Sequence, residues 1–297
     1  MAIPIALCEP TELYNVLTED AATPVLTDKN HLLLIDSRER KAYEESHVIV
    51  ARHAPINELT GQVTTFGDID LPMVVNVIVY DSKTVSIVEQ TRAIKCAEML
   101  YTLGSKNPVK VLKGGYERFS AEYPFLRTQK IIYSSLELEH MPRYPSEVLP
   151  LFLYVGDHGH ACNASMNYDM KINSHINMIA GLPPSYPGSI SELHVDVEDK
   201  EDTDLLARFE EIYSYIEAAR QKSERLLVFS ELGISRAPVA CIAYLMKKNK
   251  WTLHKGYEHV CKCRRRTRPL RVFIIQLSKW EEMIHGEVLT DISEPNY

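Results

Sequence analysis

Residues 225–248 leave little freedom to the fold around them. Arg225-Leu226-Leu227-Val228-Phe229 is an apolar run of strand length, and Ala237 to Lys248 (APVACIAYLMKK) has the spacing of an amphipathic helix. Between them stands Ser230-Glu231-Leu232-Gly233-Ile234-Ser235-Arg236. A buried strand that feeds a helix through so short a loop is the unit of an α/β sheet. It is also where anions bind. Successive backbone N–H groups converge at such a turn, and the helix N-terminus adds partial positive charge. Gly233 permits a close approach that a side chain would block, and Arg236 offers a planar fork for two oxygens of a phosphate.

The spacing S-x-x-G-x-S-R resembles H-C-x-x-G-x-S-R, the signature of the protein tyrosine and dual-specificity phosphatases. Phe229 stands at the His position and Ser230 at the Cys position. The flanks extend the likeness: Ala243-Tyr244-Leu245-Met246 in the following helix, Phe273 and Gln276-Leu277 near the end, and Leu153-Tyr154-Val155-Gly156 near the start. The resemblance implies that Ser230, Glu231, Leu232, Gly233, Ile234, Ser235 and Arg236 form a phosphate-binding loop. It also implies a general acid upstream, before an Asp-hydrophobic pair that opens a helix. Asp204-Leu205 fits that pair, and Asp199 then occupies the acid position as a remnant. The alternative is an acidic loop capping a helix from Asp204 to Arg220, with Asp204 as N-cap.

Serine in place of cysteine changes the chemistry. A thiol of pKa about 8.5 can be brought below neutrality by loop N–H groups and an adjacent arginine. A hydroxyl starts several units higher, and the same depression leaves almost no alkoxide at pH 7. Serine hydrolases supply a neighbouring base, but Phe229 has replaced the adjacent His and Asp199 would be needed as an acid. The expectation is a catalytically inactive pseudophosphatase whose catalytic positions, Phe229 and Ser230, are degenerate. The alternative is a very slow phosphatase using Ser230 or a water. Phosphate binding is a separate question, because Glu231 adds a carboxylate to the loop. At about 6 Å from one phosphate charge it costs on the order of 3 kcal/mol at an effective dielectric near 20, and less if it points into solvent. A phosphate-competent and a phosphate-blind pocket both stay open.

The first half of the chain carries a similar pattern. His31-Leu32-Leu33-Leu34-Ile35-Asp36-Ser37-Arg38 reads as a buried strand ending in D-x-R, followed by Ser46-His47 and Ala51. Val77 to Asp81 reads as a second strand, Ala93 to Leu103 as a helix, and Val109 to Tyr116 as a third strand with Gly114-Gly115. This resembles a rhodanese domain. A sulfurtransferase needs a Cys straight after the Tyr80 strand, and Asp81 holds that degenerate position, so sulfur transfer is not expected. A rhodanese-like domain ahead of a dual-specificity phosphatase domain resembles the MAP kinase phosphatases. With both sites altered, it resembles the serine/threonine/tyrosine-interacting-like pseudophosphatases. The fold expected is therefore α/β throughout, with an N-terminal rhodanese-like parallel sheet and flanking helices and a C-terminal dual-specificity phosphatase-like domain.

That resemblance implies action by binding, as a scaffold, a competitor for phosphorylated proteins, or an inhibitor of an active protein phosphatase in signalling. It implies no cofactor. MAP kinase docking by the usual route is doubtful, because the docking domains of active relatives carry a run of arginines where Ala51 to Val63 holds one, Arg52. With 297 residues and 45% hydrophobic content, the chain can build two cores. The expected division is 10–128, a linker at 129–146, and 147–288.

A net charge of −7 argues against general nucleic-acid binding. No apolar run approaches the roughly 20 residues of a membrane helix. The start, MAIPIALCEP, lacks the Arg and Lys of a transit or secretory signal. The six cysteines lack paired spacing and suggest reduced thiols in a cytoplasmic compartment. Mitochondrial import by an atypical route stays open. Cys261 and Cys263, two apart on an expected helix, point in different directions and read as core or surface thiols, while His158 and His160 lack the further ligands a metal site needs and read as solvated turn residues. Arg264, Arg265 and Arg266, followed by Arg268 and Arg271, form the one strong basic cluster. It is either a seat for an acidic or phosphorylated partner or a solvated loop with one arginine paired internally.

Overall fold

The computed structural model describes residues 5–19, 24–54, 69–182, 190–293 and 297. The chain divides into two compact units at Pro142–Arg143.

The described elements of the first unit are β1 (Ile5–Cys8), α1 (Pro10–Leu17), β2 (Leu32–Asp36), α2 (Arg40–Glu45), β3 (His47–Val48), β4 (Arg52–His53), β5 (Asn76–Tyr80), α3 (Arg92–Thr102), β6 (Val109–Leu112), α4 (Gly115–Glu122), β7 (Arg127–Thr128) and α5 (Ser135–Glu139). Five strands make a parallel sheet in the order β1-β6-β5-β2-β4. Its inner strands β2, β5 and β6 are apolar at most positions and largely buried, as strands covered on both faces should be. On one face Leu33, Ile35, Val77, Val79, Val109 and Val111 meet Ala93, Ile94, Ala97 and Leu100 of α3. Three boundaries differ from expectation. Ile5–Cys8 is a strand paired in register with Val109–Leu112, so the unit begins before residue 10. The Gly-Gly pair ends no strand but opens α4, with φ of +82° at Gly114 and +55° at Gly115. The stretch expected as linker holds α5, which Ser134 and Glu137 start with a capping box.

The described elements of the second unit are β8 (Ser146–Leu149), β9 (Leu153–Asp157), α6 (His158–Cys162), α7 (Ala164–Met170), β10 (Ile172–Asn177), β11 (Ser191–His194), α8 (Phe209–Gln221), β12 (Arg225–Ser230), α9 (Arg236–Asn249), α10 (Leu253–Cys263) and α11 (Arg271–His285). The sheet order is β11-β10-β12-β9-β8, parallel except for β8 against β9. The apolar run of Arg225–Ser230 thus lies at the centre, between β10 and β9. α9 is buried from Arg236 through Met246, which is why its sequence is apolar almost all round, and α8, α10 and α11 pack against it. Trp280 of α11 donates its indole N–H to the Ala243 carbonyl at 3.1 Å and meets Phe209 edge-on at 5.6 Å. α8 begins at Phe209 rather than Asp204, since a tight turn at Leu206–Arg208 precedes it.

In open α/β sheets ligands bind beyond the carboxyl ends of the strands, where the strand order reverses. The central strand of each unit delivers its loop to that place: β12 delivers Ser230 onward, and β5 delivers Asp81 onward. No helix among the described residues is long and apolar enough to cross a membrane.

Candidate functional site

Ser230 is the last residue of β12 and is 2% exposed. Its Oγ accepts the Gly233 N–H at 3.2 Å, which folds the loop back on itself. Gly233 has φ of +64°, and a Cβ there would lie 2.3 Å from the Gly156 carbonyl oxygen. Only glycine lets the loop lie so close to the neighbouring strand β9. The amides of Glu231, Leu232 and Ile234 donate to no protein acceptor among the described residues. Free amides at the start of a helix of 14 residues are the physical basis of an anion cradle.

Arg236 is the first residue of α9 and is 5% exposed. It donates from Nη1 to the Val197 carbonyl at 2.8 Å, while its buried Nε has no hydrogen-bond partner among the described residues. Two carboxylates flank the guanidinium. Asp199 Oδ2 lies 3.9 Å from Nε, and Glu231 Oε2 lies 4.0 Å from Nη2. Asp199 is also held by the Ser235 hydroxyl, which donates to Oδ1 at 2.8 Å and accepts the Leu270 N–H at 3.3 Å. The acidic segment is therefore docked on the loop, with Asp199 at its mouth. Asp204 caps the following turn, where its Oδ1 accepts the Ala207 N–H at 3.2 Å. Glu231 has a side chain 76% exposed but turned toward Arg236. Leu232 is 62% exposed and makes no part of the cradle beyond its backbone.

Phe229 is fully buried, and its ring packs edge-on against His175 at 5.5 Å. An apolar ring thus fills the place beside the nucleophile position. His175 is itself fully buried, and burial pushes its imidazole down to about 4.

Of the two readings of the basic cluster, Arg264 follows the one with an arginine paired internally. It is 1% exposed, because its guanidinium braces the loop from below. Nε donates to the Gly233 carbonyl at 2.7 Å, Nη2 to the Leu232 carbonyl at 3.3 Å, and Nη1 to Ser146 Oγ at 3.4 Å. Arg268 adds a backbone bond to the Ile234 carbonyl at 2.9 Å. Of the three consecutive arginines, Arg265 is exposed and Arg266 half-buried. The histidine turn is corrected. Residues 158–162 are helical, Asp157 caps them, and His160 is buried as the reciprocal partner of Asp157. Although burial pushes the Asp157 carboxyl up, the bonds and charge of His160 outweigh it and hold it at about 2. His158 is half-buried, with Nε2 3.2 Å from the Sγ of the exposed Cys162.

In the first unit Asp81 occupies the loop after β5. Its carboxylate accepts the Lys83 and Thr84 N–H groups at 3.1 and 2.9 Å and the Thr84 hydroxyl at 2.6 Å. Burial pushes this carboxyl up, but the bonds from Thr84 and Lys83 prevail and hold it below the usual carboxylate range. The Tyr116 and Glu117 amides at the start of α4 donate to the Asp81 and Ser82 carbonyls at 2.7 and 3.0 Å. This loop is closed on itself, with its helix N-terminus already satisfied. Arg38 is held by Asp36, with Nη2 2.6 Å from Oδ2, and stacks over Tyr116 at 3.8 Å. Together with Lys83 and Arg92 it lines a cleft of about 480 Å³. The arginine-poor segment expected to weaken kinase docking lies, from residue 55 to 63, outside the described residues.

All six cysteines are free thiols. Among the described residues no cluster of three or more His, Cys, Asp or Glu side chains is arranged to hold a metal.

Residues 153–283 match the dual specificity phosphatase catalytic domain family, and residues 19–122 match the rhodanese-like domain family. Dual specificity protein phosphatase 4 of Rattus norvegicus is 31% identical over 231 residues, which cover 70% of this chain and 58% of that protein. Dual specificity protein phosphatase 5 of Homo sapiens is 28% identical over 217 residues, covering 66% of this chain and 56% of that protein. The chain thus spans a little over half the length of these relatives. Among solved structures, human DUSP28 is 32% identical and covers 48% of this chain and 96% of its own, with a TM-score of 0.45. The chain belongs to the dual-specificity phosphatase family and carries a rhodanese-like domain ahead of its phosphatase-type domain.

Proposed function

We propose that this chain is a catalytically inactive member of the family, a pseudophosphatase that acts by binding oxyanion groups on phosphorylated proteins. The observation that carries this reading is the environment of Ser230. Its hydroxyl is buried, it is engaged with the Gly233 amide, and it is followed back along the strand by Phe229 rather than a base. No carboxylate or imidazole among the described residues is hydrogen-bonded to it. Nucleophilic attack on phosphorus needs a deprotonated oxygen or sulfur, and nothing beside Ser230 takes its proton. The binding half of the machinery persists in the loop amides, in Gly233, and in the buried guanidinium of Arg236 with its unbonded Nε.

The partner is a phosphorylated protein, for which the chain competes with active enzymes or which it holds as a scaffold. Inhibition of an active phosphatase would follow where both recognise the same phosphoprotein. The test is isothermal titration with phosphotyrosine and phosphothreonine peptides beside an Arg236→Lys control. Binding that disappears in the control supports the reading. Absence of heat from every peptide overturns it and leaves the loop as a structural remnant.

A further inference from the structure

Glu231 stands where the loop would receive a ligand, and nothing in the fold requires it there. Its carboxylate makes no hydrogen bond among the described residues, and its side chain is 76% exposed. Yet it turns back to within 4.0 Å of Arg236 Nη2 instead of extending into solvent. On the opposite side Asp199 Oδ2 approaches Nε at 3.9 Å, too far for a hydrogen bond. Arg236 is thus electrostatically attended by two internal carboxylates while its buried Nε stays unbonded.

The two carboxylates differ in kind. Asp199 is tied down by Ser235 at 2.8 Å and belongs to the docked acidic segment. Glu231 is tied only by charge, so it can swing away at little cost in bonds. A ligand oxygen entering beside the loop amides meets the guanidinium it seeks and the carboxylate it must displace or tolerate.

We propose that Glu231 is a charge-selecting residue of the oxyanion site, holding the outer edge of Arg236 and penalising ligands in proportion to their negative charge. This rests on the reading of the loop as an anion cradle. Repulsion scales with the product of charges, so a phosphate-monoester dianion is penalised twice as strongly, in free energy, as a singly charged tetrahedral group of the same size. Because Glu231 is exposed, water and salt reduce the effect well below its value in a dry site. The site therefore binds dianions less tightly than the same loop would with a neutral residue at this position, and it narrows the usual advantage of dianions over monoanions.

Tungstate and perrhenate separate charge from shape, since both are tetrahedral oxyanions of similar size carrying two charges and one. Each is titrated calorimetrically into the wild-type protein, into Glu231→Gln, and into Arg236→Lys. Glu231→Gln should tighten perrhenate by about fivefold and tungstate by about the square of that, roughly twenty-five-fold, at low salt. Equal tightening of both ions, or none, would overturn charge selection by Glu231 while leaving the cradle intact. If neither ion binds the wild-type protein or Glu231→Gln, or if binding survives Arg236→Lys, the cradle reading itself fails. Glu231 is exposed, so the variant keeps the fold, and unchanged tryptophan fluorescence verifies that.

Discussion

Gly233→Ala probes how the loop is held, because the structure divides its cost into two parts. The first is backbone strain: φ is +64°, where a Cβ costs about 1 kcal/mol relative to glycine. The second is collision. The new methyl would stand 2.3 Å from the Gly156 oxygen, 2.6 Å from its carbon and 2.9 Å from Arg264 Nη2. None of these can retreat easily, since Gly156 is in register with Phe229 in the central sheet and Arg264 is buried. Forcing a group into such a site costs about 1–3 kcal/mol more. The expected loss is about 3 kcal/mol, or roughly 6–12 °C in the melting of a unit of this size. Gly286→Ala is the matched comparison: its φ is +83° but nothing lies within 4 Å of the added carbon, so strain alone applies, about 1 kcal/mol. Both tryptophans, Trp251 and Trp280, lie in the second unit, so thermal unfolding followed by tryptophan fluorescence reports on that unit alone. Equal losses in the two variants would refute the contact between the loop and β9.

Phe229→His combined with Ser230→Cys should give measurable hydrolysis of p-nitrophenyl phosphate, and Ser230→Cys alone should give less; a natively folded but inert double variant would show that more than this pair is missing. His175 is buried and its imidazole is pushed down to about 4, so the unfolded chain takes up a proton near pH 6.5 that the folded one refuses until about 4. Stability should therefore fall as pH drops from 6.5 to 4, by about 3 kcal/mol from this group, and urea midpoints should lose that slope in His175→Asn. Arg264→Lys replaces a fork that bonds two loop carbonyls with a point charge, and should cost about 2 kcal/mol in urea unfolding together with a weaker tungstate affinity. An unchanged tungstate affinity in that variant would mean that the brace does not shape the cradle.

The elements that carry the loop were legible because two different periodicities meet there. The strand read at residues 225–229 is Arg225–Ser230, and the helix read at 237–248 is Arg236–Asn249. What escaped is direction. Sequence places three arginines together at 264–266, but which one turns inward depends on where α10 ends, and only Arg264 falls beneath the Gly233 and Leu232 carbonyls. The inward turn of Glu231 depends on the position of Arg236, a contact between neighbouring turns of a loop that no periodicity encodes. Gln276 is legible in the sequence as a family likeness, and its bonding is not. A polar residue among the apolar positions of α11, it accepts the Leu205 and Leu206 amides at 2.8 Å each and donates to the Thr203 carbonyl at 2.7 Å, which anchors the chain just after the acidic segment. The opening strand Ile5–Cys8 was missed because four residues are too few to show alternation, and its pairing with β6 is a long-range event.

The central claim is that Ser230 has no base to activate it. Steady-state hydrolysis of p-nitrophenyl phosphate by the wild-type protein, run beside Ser230→Ala under the same conditions, tests this most directly. Rates that match each other and the protein-free blank are predicted; turnover by the wild-type protein that vanishes in Ser230→Ala would contradict the account and make this chain an enzyme.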